Sequence, residues 1–140
     1  MIKEGDLPLD PRSRILRDPK YLITDKRARG YRPILMMDAN NEWLDTGSNE
    51  FQSFVDEMNL VDPLHQKFGN NEMTSTTYSR GRCRIDFILV DSVIVPAIDR
   101  IGTRGLHKGI ISDHAMLYID CNEDQLFSGI INRPVLNPSR

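Results

Sequence analysis

The sequence predicts one domain of α/β (α+β) class, and three patterns support this. Residues 33–37 form an unbroken apolar run that is typical of a buried β-strand. Apolar side chains recur at i, i+3, i+4 and i+7 within residues 51–58, which indicates an amphipathic helix. Residues 83–90 predict a strand with Ile85, Phe87 and Leu89 on one face and Arg84, Asp86, Ile88 and Val90 on the other. A chain of 140 residues, 39% of them hydrophobic, has the size and composition of a single globular domain.

The N-terminal third is expected to contain one helix. Residues 1–11 are rich in Gly and Pro and predict an irregular lead-in. Asp18 followed by Pro19 is typical of a helix start, with Asp as the N-cap and Pro at the first helical position. Gly30 predicts the end of this helix, and Leu22, Ile23 and Ala28 are expected to face inward.

The first strand, residues 33–37, is expected to lie at the centre of a sheet because it is apolar on both faces. A polar loop begins at Asn40. Ser48 or Asn49 then caps the amphipathic helix of residues 51–58.

The second half is expected to be mainly strands. Small and polar residues predict a long loop over residues 65–81, before the strand of residues 83–90. A proline within residues 93–101 favours a short helical turn followed by a strand. Residues 115–121 read as the last strand of a domain that covers 1–121, and residues 122–140 as an extended tail.

The charge is small overall but unevenly distributed. The net charge of −2 gives no bulk attraction to nucleic acid. Residues 12–32 carry eight Lys/Arg against two Asp, whereas residues 38–62 carry seven Asp/Glu and no Lys or Arg. This pattern fits a metal site that receives a polyanion, and it equally fits two oppositely charged solvated faces.

Cysteine spacing and hydropathy predict a location inside the cell. Cys83 and Cys121 are isolated, so neither a disulfide framework nor a zinc site is expected. The first residues lack the apolar core of a signal peptide, and no stretch is long and apolar enough for a membrane span. The expected location is nuclear or cytoplasmic, without a membrane partner.

Four motifs carry groups that hydrolysis of a phosphodiester requires. They are Met37-Asp38-Ala39-Asn40, Thr77-Tyr78-Ser79, Arg84-Ile85-Asp86-Phe87 and Ser112-Asp113-His114. Hydrolysis needs an aligned water, a base and positive charge on the phosphate oxygens. At a strand end, the Asp38 carboxylate can accept a proton from water, and the Asn40 amide can hold that water or a phosphate oxygen. The alternative is an Asx turn that merely closes the strand.

Asp86 lies among apolar strand residues, where a carboxylate requires a partner. Arg84 is one candidate, in a purely structural pair. The other is His114, whose ring Asp86 would orient and whose protonated form it would stabilise. A protonated His114 can donate to a phosphate oxygen, and Asp113 can bind a hard cation such as Mg²⁺. Ser-Asp-His is also an ordinary capping sequence.

The segment from residue 78 to residue 84 is basic and begins with an aromatic residue. Tyr78 and Arg84 are candidates for substrate binding, through base stacking and phosphate contact. For Arg80 and Arg82, a solvated hairpin arm is the alternative.

Taken in order, the four motifs resemble the C-terminal part of the endonuclease/exonuclease/phosphatase superfamily. This superfamily includes AP endonucleases, deoxyribonuclease I-like enzymes, inositol polyphosphate phosphatases and nicking endonucleases of retroelements. The likeness covers about residues 18 to 121, and the sequence around the motifs is most similar to that of retroelement endonucleases. It departs from the family at Met37, where the family has Gly. The resemblance implies the C-terminal half of a four-layer α/β/β/α sandwich of DNase I type.

The resemblance also implies roles for the site residues. Asp38 would activate the water that Asn40 orients. Asp86 would support His114, which would contact the scissile phosphate. Asp113 would lie near a divalent metal, Mg²⁺ or Mn²⁺.

The function implied is a metal-dependent phosphodiester hydrolase, most specifically a DNA-nicking endonuclease of retroelement type with DNA as its partner. No counterpart of the family's metal-binding Glu strand precedes Pro33, so a missing N-terminal half or another copy of the chain is expected as a further partner. Two alternatives stay open. One is an inactive remnant that binds nucleic acid or a partner half, and the other is a phosphatase of the same superfamily.

Overall fold

The computed structural model describes residues 11–40, 49–69, 76–81, 83–105 and 112–127. Its elements, in chain order, are α1 (Pro11–Ala28), β1 (Ile34–Asp38), α2 (Glu50–Glu57), β2 (Leu60–Val61), α3 (Pro63–Phe68), β3 (Asp86–Asp91), a 3₁₀ helix (Ser92–Ala97), β4 (Ile98–Arg104), β5 (Met116–Cys121) and α4 (Glu123–Phe127). Helices combined with small antiparallel sheets confirm the α+β class. Within these residues, no helix is both long and apolar enough to cross a membrane.

The strands form two antiparallel sheets, ordered β1-β3-β2 and β4-β5. The prediction that β1 is central is wrong, because β3 holds that place and β1 lies at the edge. Ile34 and Met36 on β1 are accordingly 39% and 63% exposed, whereas Phe87 and Ile88 on β3 are buried. β1 pairs with β3 from Ile34 opposite Val90 to its last residue.

Each face of β3 packs against a different apolar cluster, because successive side chains point to opposite faces of a sheet. Phe87 and Leu89 pack with α1 and α2; the other buried members of this cluster are Ile23, Phe51, Phe54, Val55 and Leu60. Ile88 and Val90 pack with Ile94 and with partly buried residues of β4, β5 and α4. Packing on both faces holds β3 in place, and with it Asp86, the polar residue at its start.

Helix α1 begins at residue 11, so the predicted start at Asp18 is wrong. Pro11 takes the first helical position, where a missing N–H leaves no hydrogen bond unmade, and the helix continues through Pro19. Leu16 and Ile23, on either side of that proline, both pack against the core. Of the three residues expected to face inward, Ile23 is buried, whereas Leu22 is 58% exposed and Ala28 is also exposed.

The end of α1 is the one predicted. Gly30 has φ +84°, the left-handed region that glycine adopts without a Cβ clash. The Tyr31 N–H donates to the Lys26 carbonyl at 3.0 Å, and the Gly30 N–H donates to the Arg27 carbonyl at 2.9 Å. This pair of hydrogen bonds is a Schellman motif.

Helix α2 begins as predicted, with Asn49 as N-cap accepting a backbone N–H at 2.7 Å. The loop predicted from residue 65 is wrong at its start, since α3 occupies residues up to Phe68. Asp62 caps α3 by accepting two N–H groups of the first turn, each at 3.1 Å, and Pro63 follows at the first helical position.

The C-terminal strands confirm the predicted turn, strand and last strand, although β4 continues to Arg104, beyond the segment 93–101 in which that strand was predicted. The tail was predicted to be extended, yet it begins with α4. The Asn122 side chain accepts the Gln125 N–H at 3.0 Å, and the Asn122 carbonyl accepts the Leu126 N–H at 2.9 Å, so this residue caps a helix. The lead-in 1–10 and the tail from 128 lie outside the described residues.

Candidate functional site

Asp38, Asp86 and His114 meet at one end of the three-stranded sheet. Asp38 ends β1 and Asp86 begins β3, and the two are direct cross-strand partners. His114, two residues before β5, reaches them from the other sheet. One ligand atom from each of the three side chains lies within 4.8 Å of the other two. Three of the predicted site residues, far apart in sequence, thus come together.

Asp86 and His114 form the pair that the sequence predicted. The Nδ1 atom of His114 lies 3.0 Å and 3.2 Å from the two carboxylate oxygens of Asp86. This hydrogen bond raises the pKa of His114 above 6.5; burial acts against it, and the charges of Asp86, Asp38 and Asp113 add to the increase. With its Nδ1–H donated to Asp86, the protonated ring keeps Nε2–H as its second donor.

The backbone at His114 is attached to the segment that contains Tyr78. These two residues form an isolated antiparallel bridge, and two backbone hydrogen bonds of 2.7 and 2.8 Å flank it. The rings of Tyr78 and His114 lie 5.0 Å apart between centroids. The predicted substrate-binding residue Tyr78 therefore lies beside the imidazole.

The turn that precedes β5 has the local hydrogen bond of a cap as well. The Ser112 hydroxyl accepts the His114 N–H at 3.0 Å. This is the ordinary capping role that the sequence left open for Ser-Asp-His. It accompanies the contact with Asp86, so capping and site geometry are combined in one turn.

Asp38 likewise combines a local turn with a place in the site. Its carboxylate accepts the backbone N–H of Asn40 at 2.9 Å, which is the Asx turn given as the alternative. Asn40 has φ +45°, in the left-handed region that Asn tolerates better than most residues. The turn orients the carboxylate within the group of three. Asn40 is exposed beside it, and its water-orienting role stays a prediction.

Arg84 does not fit its predicted role in substrate binding. It is 6% exposed, and its guanidinium makes two hydrogen bonds to the carboxylate of Asp62, one of them 3.2 Å long. It also lies 4.5 Å from the centroid of the Phe87 ring. A buried guanidinium requires a charged partner, and Asp62 supplies one. The alternative pairing of Arg84 with Asp86 is therefore also wrong.

Thr77 is a site residue that the sequence motifs contained but did not single out. It is 1% exposed, and its hydroxyl oxygen accepts the N–H groups of Ile85 and Asp86, each at 3.1 Å. The signal available in the sequence was its position in the motif Thr77-Tyr78-Ser79, next to a predicted site residue. Its partner could not be read from spacing, because a loop separates the two segments.

The remaining predicted residues lie at or beyond the edge of the group. Asp113 is exposed; it does not belong to the group of three, although its charge contributes to the raised pKa of His114. Its role as a metal ligand stays a prediction. Arg80 is exposed, which agrees with its solvated alternative. Arg82 lies outside the described residues.

Two carboxylates and an imidazole are a suitable donor set for a divalent cation. Carboxylate oxygens alone suit Mg²⁺, and an added imidazole shifts the preference towards Mn²⁺ and other transition metals. His114 cannot ligate a cation while its ring is protonated and its Nδ1–H is donated to Asp86. The Asp38 and Asp86 carboxylates are the donors that the set offers to a hard cation.

Comparison of the chain with protein-family models and with curated proteins gives no match. The chemistry of the site is therefore argued from its own geometry.

Proposed function

We propose that this chain is a divalent-metal-dependent phosphodiester hydrolase domain of endonuclease/exonuclease/phosphatase type, acting on DNA as a nicking endonuclease. The observation that carries the proposal is the meeting of Asp38, Asp86 and His114 at the end of one sheet, with the imidazole bound to one of the two carboxylates.

His114 has the geometry of a phosphate-oxygen donor. Asp86 holds Nδ1 and stabilises the positive charge of the ring, so the pKa of His114 is raised and more of the protein carries the imidazolium near neutral pH. The remaining Nε2–H would donate to a non-bridging oxygen of the scissile phosphate. A preorganised donor aimed at developing negative charge lowers the barrier to hydrolysis.

Asp38 is the residue we assign to the attacking water. Its exposed carboxylate can accept the proton of a water molecule as general base, and the Asx turn with Asn40 fixes its direction. The Asn40 amide, adjacent and exposed, would orient that water. Asp86 is engaged with the imidazole, so the two carboxylates have different tasks.

A bound cation fits the electrostatics of this site. Asp38 and Asp86 place two negative charges where an anionic phosphate must approach, and that approach requires added positive charge. These carboxylates, with Asp113 beside them, would hold Mg²⁺ or Mn²⁺. Such an ion neutralises phosphate charge and lowers the pKa of bound water.

Tyr78 provides a surface for the rest of the substrate. Its ring lies against His114 and is partly exposed, so a nucleobase next to the scissile phosphate can stack on it. This aromatic neighbour favours a nucleic acid over a small phosphate monoester, and the retroelement-type motifs favour DNA.

The proposal is tested by incubating supercoiled plasmid with the chain and Mg²⁺ or Mn²⁺ and measuring the nicked form. We expect Asp38→Ala and His114→Ala to slow nicking by about 100-fold or more, the usual contribution of acid–base and electrostatic groups, and chelation to abolish it. Asp120→Asn, which changes an exposed carboxylate on β5, is the matched control and should nick at the wild-type rate.

Two results would contradict the proposal. Equal nicking by wild type, Asp38→Ala and His114→Ala would identify a contaminating nuclease. Release of inorganic phosphate from a monoester, with no nicking and with the same dependence on Asp38 and His114, would assign the site to a phosphatase.

A further inference from the structure

We infer that Thr77 is a positioning residue that sets the contact between Asp86 and His114. The consequence for catalysis rests on the proposed function, whereas the contacts of Thr77 do not. Thr77 is 1% exposed, so it acts through the two residues it holds.

Thr77 joins the two segments from which the pair comes. Its hydroxyl oxygen accepts the Ile85 and Asp86 N–H groups, each at 3.1 Å. Its carbonyl oxygen accepts the N–H of Ala115, the residue after His114, at 2.7 Å. One buried residue is therefore hydrogen-bonded to the backbone of Asp86 and to the backbone next to His114.

The hydroxyl is needed where β3 begins. The backbone just before β3 has one further contact: the Ala39 N–H, immediately after β1, donates to the Ile85 carbonyl at 2.8 Å. That contact holds Ile85 through its carbonyl group. The N–H groups of Ile85 and Asp86 instead depend on Thr77. Removing that acceptor takes the hydrogen-bond partner from two partly buried N–H groups, which the backbone relieves by shifting.

A shift of the backbone at Asp86 acts directly on the site. A hydrogen bond of 3.0 Å between carboxylate and imidazole weakens steeply as distance and angle depart from their optimum. Valine keeps the shape of threonine but removes the acceptor, whereas serine keeps the acceptor. The pair Thr77→Val and Thr77→Ser therefore separates the hydroxyl from side-chain packing.

The test is nuclear magnetic resonance on the metal-free protein. The Nδ1 proton of His114, held by a carboxylate, gives a downfield signal that Asp86→Asn should abolish. We expect Thr77→Val to lose this signal and to speed hydrogen exchange at the Ile85 and Asp86 amides about tenfold or more. Thr77→Ser should retain both properties. Thr77→Cys, with a weakly accepting thiol, is the second variant should Thr77→Val fail to fold, and it should change in the same direction as Thr77→Val.

Ile94→Ala is the control for general loss of stability, because Ile94 is buried in the other apolar cluster, outside the site. It should keep the downfield signal. An unchanged signal in Thr77→Val, or its loss in Ile94→Ala, would overturn the inference.

Plasmid nicking by the same preparations separates this inference from the proposed function. A signal that depends on Thr77, in a wild-type protein that does not nick DNA, would contradict the proposed function and support the positioning role. Nicking that persists while the signal is indifferent to Thr77 would contradict only the positioning role. If the wild type nicks DNA and the downfield signal depends on Thr77, Thr77→Val should lower kcat with little change in KM. Thr77→Ser should then have the kcat of the wild type.

Discussion

Asp38 and Asp86 face each other as direct cross-strand partners at the end of β1 and β3. Like charges in directly opposed positions destabilise an antiparallel pair. His114 lies against both carboxylates, so an imidazolium, or a cation bound at the same place, offsets their repulsion. The stability of this end of the sheet is thereby linked to the protonation and metal binding that the proposed chemistry uses.

This linkage predicts how stability depends on pH. The hydrogen bond that His114 donates to Asp86 raises the pKa of His114 above 6.5 in the folded protein. A raised folded pKa stabilises the protein fully below the unfolded pKa, and the stabilisation is lost as pH rises through the folded pKa. Asp86→Asn should therefore lower the free energy of unfolding more at about pH 5.5 than at about pH 8.5. Urea unfolding at the two pH values measures this.

The control for the pH prediction is His114→Gln, which removes the titrating group. Its difference in unfolding free energy from wild type should also be larger at the lower pH. A wild-type advantage that grows with rising pH, for either variant, would be incompatible with a raised pKa at His114.

The buried pair of Arg84 and Asp62 is predicted to stabilise the fold without taking part in catalysis. The two side chains are 5% and 1% exposed, so Arg84→Ala leaves an unpaired buried carboxylate and should cost about 3 to 5 kcal/mol. Chemical denaturation measures the loss. Arg100→Ala, which breaks an exposed pair with Asp120, is the control and should have little effect.

The same variant distinguishes a structural role from substrate binding. Under conditions where Arg84→Ala is folded, its KM for plasmid should match that of the wild type. A large rise in KM without a loss of stability would return Arg84 to the substrate site.

Tyr78 is predicted to contribute to DNA affinity through its ring. Loss of a base–aromatic stack costs about 1 to 3 kcal/mol, so Tyr78→Leu should weaken binding of a single-stranded oligonucleotide about 5- to 150-fold. Tyr78→Phe keeps the ring and should bind as the wild type does. Fluorescence anisotropy measures both, and equal affinity of Tyr78→Leu and wild type would remove this residue from the substrate surface.

Local signals allowed the sequence to predict α2, the end of α1 and the C-terminal strands. Asn49 and Gly30 define helix ends through hydrogen bonds to residues within one or two turns, so the pattern of the segment itself contains the information. Pro19 misled the prediction, because packing of Leu16 and Ile23 on the core outweighs the helix-breaking tendency of one proline.

Non-local pairing explains what the sequence could not provide. An apolar run such as residues 33–37 does not show which strand is central, since strand order depends on β3, which is distant in sequence. Arg84 was predicted to bind substrate, with a structural pair to Asp86 as the alternative, yet its partner is Asp62, the N-cap of α3. The Asp86–His114 pair was predicted from chemistry rather than from spacing. A carboxylate in an apolar strand requires a partner, and an imidazole is complementary to it.

Paramagnetic broadening by Mn²⁺ tests the central claim most directly, that the Asp38 and Asp86 carboxylates hold a cation beside His114. Below one equivalent of Mn²⁺, the amide signals of these three residues should broaden first, and the double variant Asp38→Asn/Asp86→Asn should abolish the effect while Asp120→Asn leaves it unchanged. Broadening that survives in the double variant, or that begins around Asp99 and Asp120, would contradict the account.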